Sequence, residues 1–189
     1  MRFKLAFLMA AMSAAGTAHA DPIVLDQWYT FGFGGVGTSL VSGDGYVLGV
    51  NPPSIAAPDA DWTFTLNGSG TLTVVDGFLS GDQFEISNFG SIIGATSVPT
   101  DGADCGDDIT LCLATPGMSI GTFALGAGDY SIGGAVLASP FGGGAGFFIV
   151  TSDAGPSVPE PATWGMMLLG MGAVGGAMRA RKRVAVRFA

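Results

Sequence analysis

All seven basic residues of this chain lie at its ends: Arg2 and Lys4 at one, Arg179, Arg181, Lys182, Arg183 and Arg187 at the other. The single histidine is His19. Residues 21–178 contain no Lys, Arg or His and carry all fifteen carboxylates, so the net charge of −8 understates how acidic this middle is. Such a domain repels phosphate backbones, which excludes nucleic acid as a partner, and repels anionic polysaccharide unless a divalent cation bridges the two. Histidine-based nucleophile activation, lysine Schiff bases, arginine phosphate clamps and histidine zinc or iron sites are all ruled out. Two chemistries survive: glycoside hydrolysis by paired acids, and hard-cation binding by oxygen ligands.

The fold signal inside this stretch is a period of two. Trp62, Phe64 and Leu66 point one way, Thr63 and Thr65 the other. Asn67-Gly68-Ser69-Gly70 reads as a turn into a second run at 71–75, so 62–66 and 71–75 are expected to form a β-hairpin. Further strands are expected at 27–33, 46–50, 82–87, 91–98, 118–125, 130–137 and 146–151. The 32 glycines fall in short clusters between these runs, as turn punctuation does. No stretch before residue 162 has a helical period apart from the N-terminal apolar run. The expected fold is all-β, an antiparallel β-sandwich or jelly roll, in one ectodomain over 21–154.

Both ends read as addresses. Arg2 and Lys4 precede an apolar run at 6–15, and Ala18-His19-Ala20 is an A-x-A cleavage site, so residues 1–20 read as a signal peptide and the mature chain starts at Asp21. At the other end, 155–161 is a linker that ends in Pro159-Glu160-Pro161, a stiff, extended entry. Trp164 suits a membrane–water interface, and 162–178 is an uncharged apolar run read as a transmembrane helix. The 179–189 tail, with Arg179, Arg181, Lys182 and Arg183, is expected to hold the cytoplasmic side. At ~1.5 Å per residue the run spans ~25 Å, short of a ~30 Å hydrocarbon core, which fits a temporary anchor. Gly172 and Gly176 form a G-x-x-x-G within it.

This tail closely resembles the PEP-CTERM protein-sorting signal in its PEPxxWA variant, with Gly165 in place of the final Ala. The resemblance implies a Gram-negative bacterial protein that passes through the inner membrane, is processed by an exosortase, and reaches the cell surface or its polysaccharide matrix. A second, fold-level resemblance covers residues 61–150, including GTLTVVDGFLSGDQFEISNFGSIIGATSVP and FALGAGDYSIGGAVLASPFGGGAGFFIV. These stretches are similar to the β-rich ectodomain of many PEP-CTERM proteins and carry no catalytic motif.

Four groups of residues are candidates for function. Cys105 and Cys112, in an exported chain, are expected to form a disulfide. Asp101, Asp104, Asp107 and Asp108 crowd the same loop; they read either as a calcium site or as a solvated loop of turn-forming aspartates, with Asp59 and Asp61 a second such pair. Trp28, Tyr29, Phe31, Phe33, Tyr46, Trp62 and Phe64 read as core, or as a platform for sugar rings. Asp76, Asp82, Glu85 and Asp129 are the available acids for a hydrolase pair. The expected function is an exported, non-enzymatic structural or adhesive protein of the extracellular polysaccharide matrix, with no cofactor unless calcium binds. A carbohydrate-binding module and a carboxylate hydrolase are the alternatives.

Overall fold

In the computed structural model, residues 22–100, 102–153 and 161–180 are described, with side chains of the last segment described from 165 to 179. Two units are present, one within residues 1–152 and one within 153–189.

Among the described residues, the first unit contains ten strands in two sheets. One sheet runs β2 (Leu40–Val41), β1 (Trp28–Phe33), β10 (Gly144–Ser152), β5 (Gly70–Asp76), β8 (Ile120–Leu125), with β3 (Ser54–Ala56) pairing parallel to β1 beside β2. The other runs β4 (Trp62–Leu66), β9 (Gly128–Ala138), β6 (Gln83–Asn88), β7 (Ser91–Ala95). Apart from β3, every named pairing is antiparallel. With short β2 and β3 set aside, successive strands alternate between the sheets except at the β6–β7 hairpin. That winding is a jelly roll, as the alternation and turn spacing predict.

The inward faces meet in an aromatic core. Trp62 of one sheet stacks on Phe148 of the other with ring centroids 4.1 Å apart. Phe84 takes Phe31 and Phe33 edge-on at 5.3 and 4.9 Å. Each such ring, fully removed from water, contributes roughly 1.5–3 kcal/mol. Strands β5 and β10 are covered on their other face too. There Val75 and Phe147 pack with Ile109, Cys112 and Met118 under a short helix, α1 (Ile109–Ala114).

Three local expectations fail for physical reasons. The runs at 62–66 and 71–75 are not a hairpin: β4 pairs with β9, and β5 with β10 and β8. Alternation fixes which side of a strand is apolar, and facing another strand across the core buries that side as well as pairing beside it does. Residues 46–50 form no strand. Val47, Leu48 and Val50 are exposed, and glycines with the 52–53 proline pair break the segment. Helix α1 has six residues, too few to show a period, and is set by its N-cap: Leu111 N–H donates to Asp108 Oδ1 at 2.9 Å.

Residues 161–180 of the second unit form a helix, α2 (Pro161–Ala180). It contains the expected apolar run and starts at a proline, which suits a first helical position. Among the described residues, no helix is long and apolar enough to cross a membrane. Five glycines, at 165, 170, 172, 175 and 176, dilute its apolar surface, and Arg179 charges its last turn.

Candidate functional site

The expected disulfide joins Cys105 to Cys112 and leaves no free cysteine. Its sulfurs lie in the core beneath α1. The ring clamps the neighbouring loop 77–81: Phe78 N–H donates to Gly106 O and Cys105 N–H to Phe78 O, each at 2.9 Å. Ser80 adds a hydroxyl bond to Thr100 O at 2.8 Å and takes Ala103 N–H at 3.0 Å.

The acidic residues beside this ring serve the backbone. Asp104 Oδ1 accepts Gly106 N–H at 2.9 Å, and Asp108 caps α1 and meets the Asn51 amide. The Leu111 N–H, with Asn51 second, holds Asp108 below the ordinary carboxylate range. Asp107 offers its carbonyl to Val50 N–H. Asp101 lies outside the described residues. Among the described residues, no three His, Cys, Asp or Glu side chains gather as a metal cluster. The weaker pair separates by role: Asp61 Oδ2 accepts the Ser131 hydroxyl, and Asp59 is exposed.

Most of the aromatic candidates are core. Tyr29, Phe31, Phe33, Trp62 and Phe64 are buried, while Trp28 is half-buried and Tyr46 exposed. The ring platform that does face solvent uses two residues outside that set. Along edge strand β4, a groove of about 440 Å³ is lined by Thr63, Phe64, Thr65, Phe89, Asp129 and Tyr130, and closed on one side by segment 22–25. Tyr130 stacks on Phe64, centroids 5.1 Å apart and planes 14° from parallel. Its hydroxyl donates to Gly126 O at 2.9 Å, so the ring is held before any ligand arrives. Phe89, at the β6–β7 turn, is 65% exposed. Beside the rings, Thr65 Oγ1 donates to Asp129 Oδ1 at 2.7 Å, leaving the other carboxylate oxygen as an acceptor toward solvent. Flat apolar rings beside hydroxyl and carboxylate groups are the chemistry of a shallow sugar site.

The four hydrolase candidates do not converge. Asp129 belongs to that groove, and Glu85 to a separate one with Asp61, Ser39 and Ser87. Asp76 and Asp82 do come together, in the interior. Asp82 N–H donates to Asp76 Oδ2 at 3.2 Å, and the two residues are 4% and 0% exposed respectively. Burial first, then the Asp82 charge, pushes the Asp76 pKa up to about 8, and burial also raises that of Asp82. Asp76 has no solvent-facing surface, while Asp82 borders a small cavity with Gly77 and Gly144.

In the tail, Pro161 opens α2 and Arg179 sits exposed in its last turn. The side chain of Trp164 lies outside the described residues. So do Pro159, Glu160, Arg181, Lys182, Arg183 and the cleavage-site residues Ala18 and Ala20. The sequence of this segment decides its assignment: the family model described as the PEP-CTERM protein-sorting motif matches residues 157–183. The chain carries a PEP-CTERM sorting motif. Such a motif supports sorting by an exosortase to the cell surface or exterior. The match covers the tail alone; no curated protein and no solved structure matches the chain.

Proposed function

We propose that this PEP-CTERM protein is held briefly in the inner membrane by its 162–178 run, and that exosortase processing then releases the jelly-roll domain. Outside, the domain acts as a non-enzymatic structural or adhesive component of the polysaccharide matrix, in contact with neutral glycan. The groove along β4 carries this reading: Tyr130 and Phe89 offer rings to sugar faces while Thr65 and Asp129 offer polar atoms. A domain without a basic residue favours neutral sugars over anionic ones. Tyr130→Ala and Phe89→Ala are the test. Retardation of the protein in gels cast with neutral polysaccharide is expected for wild type and lost in both variants, with unchanged near-UV circular dichroism. Equal retardation of all three removes the groove from the function. Release of reducing sugar from the same polysaccharides would replace a binding role with hydrolysis.

A further inference from the structure

The β6–β7 hairpin breaks a local rule beside the β4 groove. Asn88 pairs with Ser91, so the loop is the dipeptide Phe89-Gly90. Both residues have positive φ, 45° and 73°. Such a loop prefers Asn before its glycine, because a bulky side chain is strained in the left-handed region. Phe89 holds that place, and it is exposed, so the strain is not offset by burial. Its ring lines the groove with Tyr130. Strain kept for an exposed ring at a groove is the mark of a contact residue. At about 440 Å³ the groove falls within the roughly 300–1,000 Å³ of small-molecule sites.

The polar atoms of the groove constrain what the rings meet. Tyr130 donates its hydroxyl proton to Gly126 O, and Thr65 donates to Asp129 Oδ1. Ile23 N–H, on the closing segment, is already bonded to Thr63 O at 2.9 Å. Asp129 is exposed, directly opposite Thr65 in the β4–β9 ladder. Residues 21–178 hold no Lys, Arg or His to pair with it. The groove therefore presents acceptors and ring faces, and its ligand must bring the donors. A sugar hydroxyl or an acetamido N–H can do so. An ammonium does so with charge: its hydrogen bond to a carboxylate is the stronger kind, aromatic faces attract it, and the other carboxylates of the domain add a field of the same sign.

We propose that the β4 groove selects hexosamine units with a free amino group, the ammonium on Asp129 and the sugar face on Tyr130 and Phe89. This rests on the glycan reading above and narrows it. The same charge that turns away anionic sugars favours a cationic unit over its neutral, N-acetylated form.

The test titrates the full chain, in detergent and mildly acidic buffer of low salt, with a chitosan tetramer (glucosamine) and a chitin tetramer (its N-acetylated form). Calorimetry should find the amine form bound roughly tenfold tighter, as one charge-assisted contact allows, and salt should shrink the margin. Asp129→Asn, whose amide oxygen still accepts from Thr65, should bring the two affinities together. Asp44→Asn, which removes an equal charge from an exposed turn, should keep them apart. Phe89→Asn should weaken both tetramers and raise the Tm, because Asn suits the turn; a lower Tm would make the ring a part of the fold and overturn its role here. Equal wild-type affinities, a difference that survives Asp129→Asn, or one that Asp44→Asn abolishes overturns the amine selection and leaves the glycan groove standing. Binding of neither tetramer overturns it too, and retardation by unsubstituted neutral polysaccharide then decides the groove separately.

Discussion

Asp76→Asn should make the protein more stable, and most so near neutral pH. Asn occupies the same space and can still accept the Asp82 N–H, but it has no charge to bury. The magnitude follows from the raised pKa. In the unfolded chain the carboxyl ionises near 3.8; in the fold it holds its proton to about 8. Between those values the folded state binds the extra proton, so stability falls as pH rises through the window and levels off above it. At ~1.4 kcal/mol per tenfold, the loss is ~4 kcal/mol by pH 7, a large share of the ~5–15 kcal/mol that holds an ordinary domain together. Urea unfolding, followed by the fluorescence of buried Trp62, gives the stability at each pH. The wild-type midpoint should decline steadily from pH 4 to 8. The variant should decline far less, with a residual slope from Asp82, whose pKa is also raised by burial. Parallel slopes for the two proteins, or a wild-type midpoint that climbs with pH, would refute the reasoning.

Two further outcomes follow from the disulfide and the tail. Cys105→Ser/Cys112→Ser opens a ring of sequence separation 7; urea unfolding should show a loss on the order of 2 kcal/mol by loop-closure entropy. Replacing Pro159 and Pro161 with Ala should leave membrane insertion intact and trap the protein in the inner membrane; fractionation that finds this variant at the surface, at normal mass and rate, would make the tail an ordinary anchor.

The sheets were legible because alternation survives any topology. Trp62, Phe64 and Leu66 are buried as their spacing demands, and Thr63 and Thr65 face out. Partner choice was not legible, since a buried face does not say whether its neighbour lies beside it or opposite. Helix α1 escaped for a different reason: an N-cap and a disulfide hold six residues that no periodicity marks. The site divides in the same manner. Early clustering of aromatics pointed to rings that became core, whereas Phe89 and Tyr130 reach one groove from a turn and from the start of β9. Asp76 and Asp82 were recognisable as acids available for chemistry, and their contact was not. A usable signal was present: two aspartates bracketing Gly-Phe-Leu-Ser-Gly between strands, in a stretch with no base to balance them.

The absence of bases suggests a way to balance the buried pair with a side chain. Ser139 lies beside Asp82 and is half-buried, so Ser139→Lys can bring an ammonium to the pair with its stem toward solvent. Its ammonium would be the first positive charge in the domain, placed among carboxylates that have none, so the variant should hold both aspartates ionised. Two measurements should then agree: an unfolding midpoint at pH 7 above that of wild type, and a flattened decline between pH 4 and 8. A folded Ser139→Lys protein no more stable than wild type would show that charge is not what the buried pair lacks.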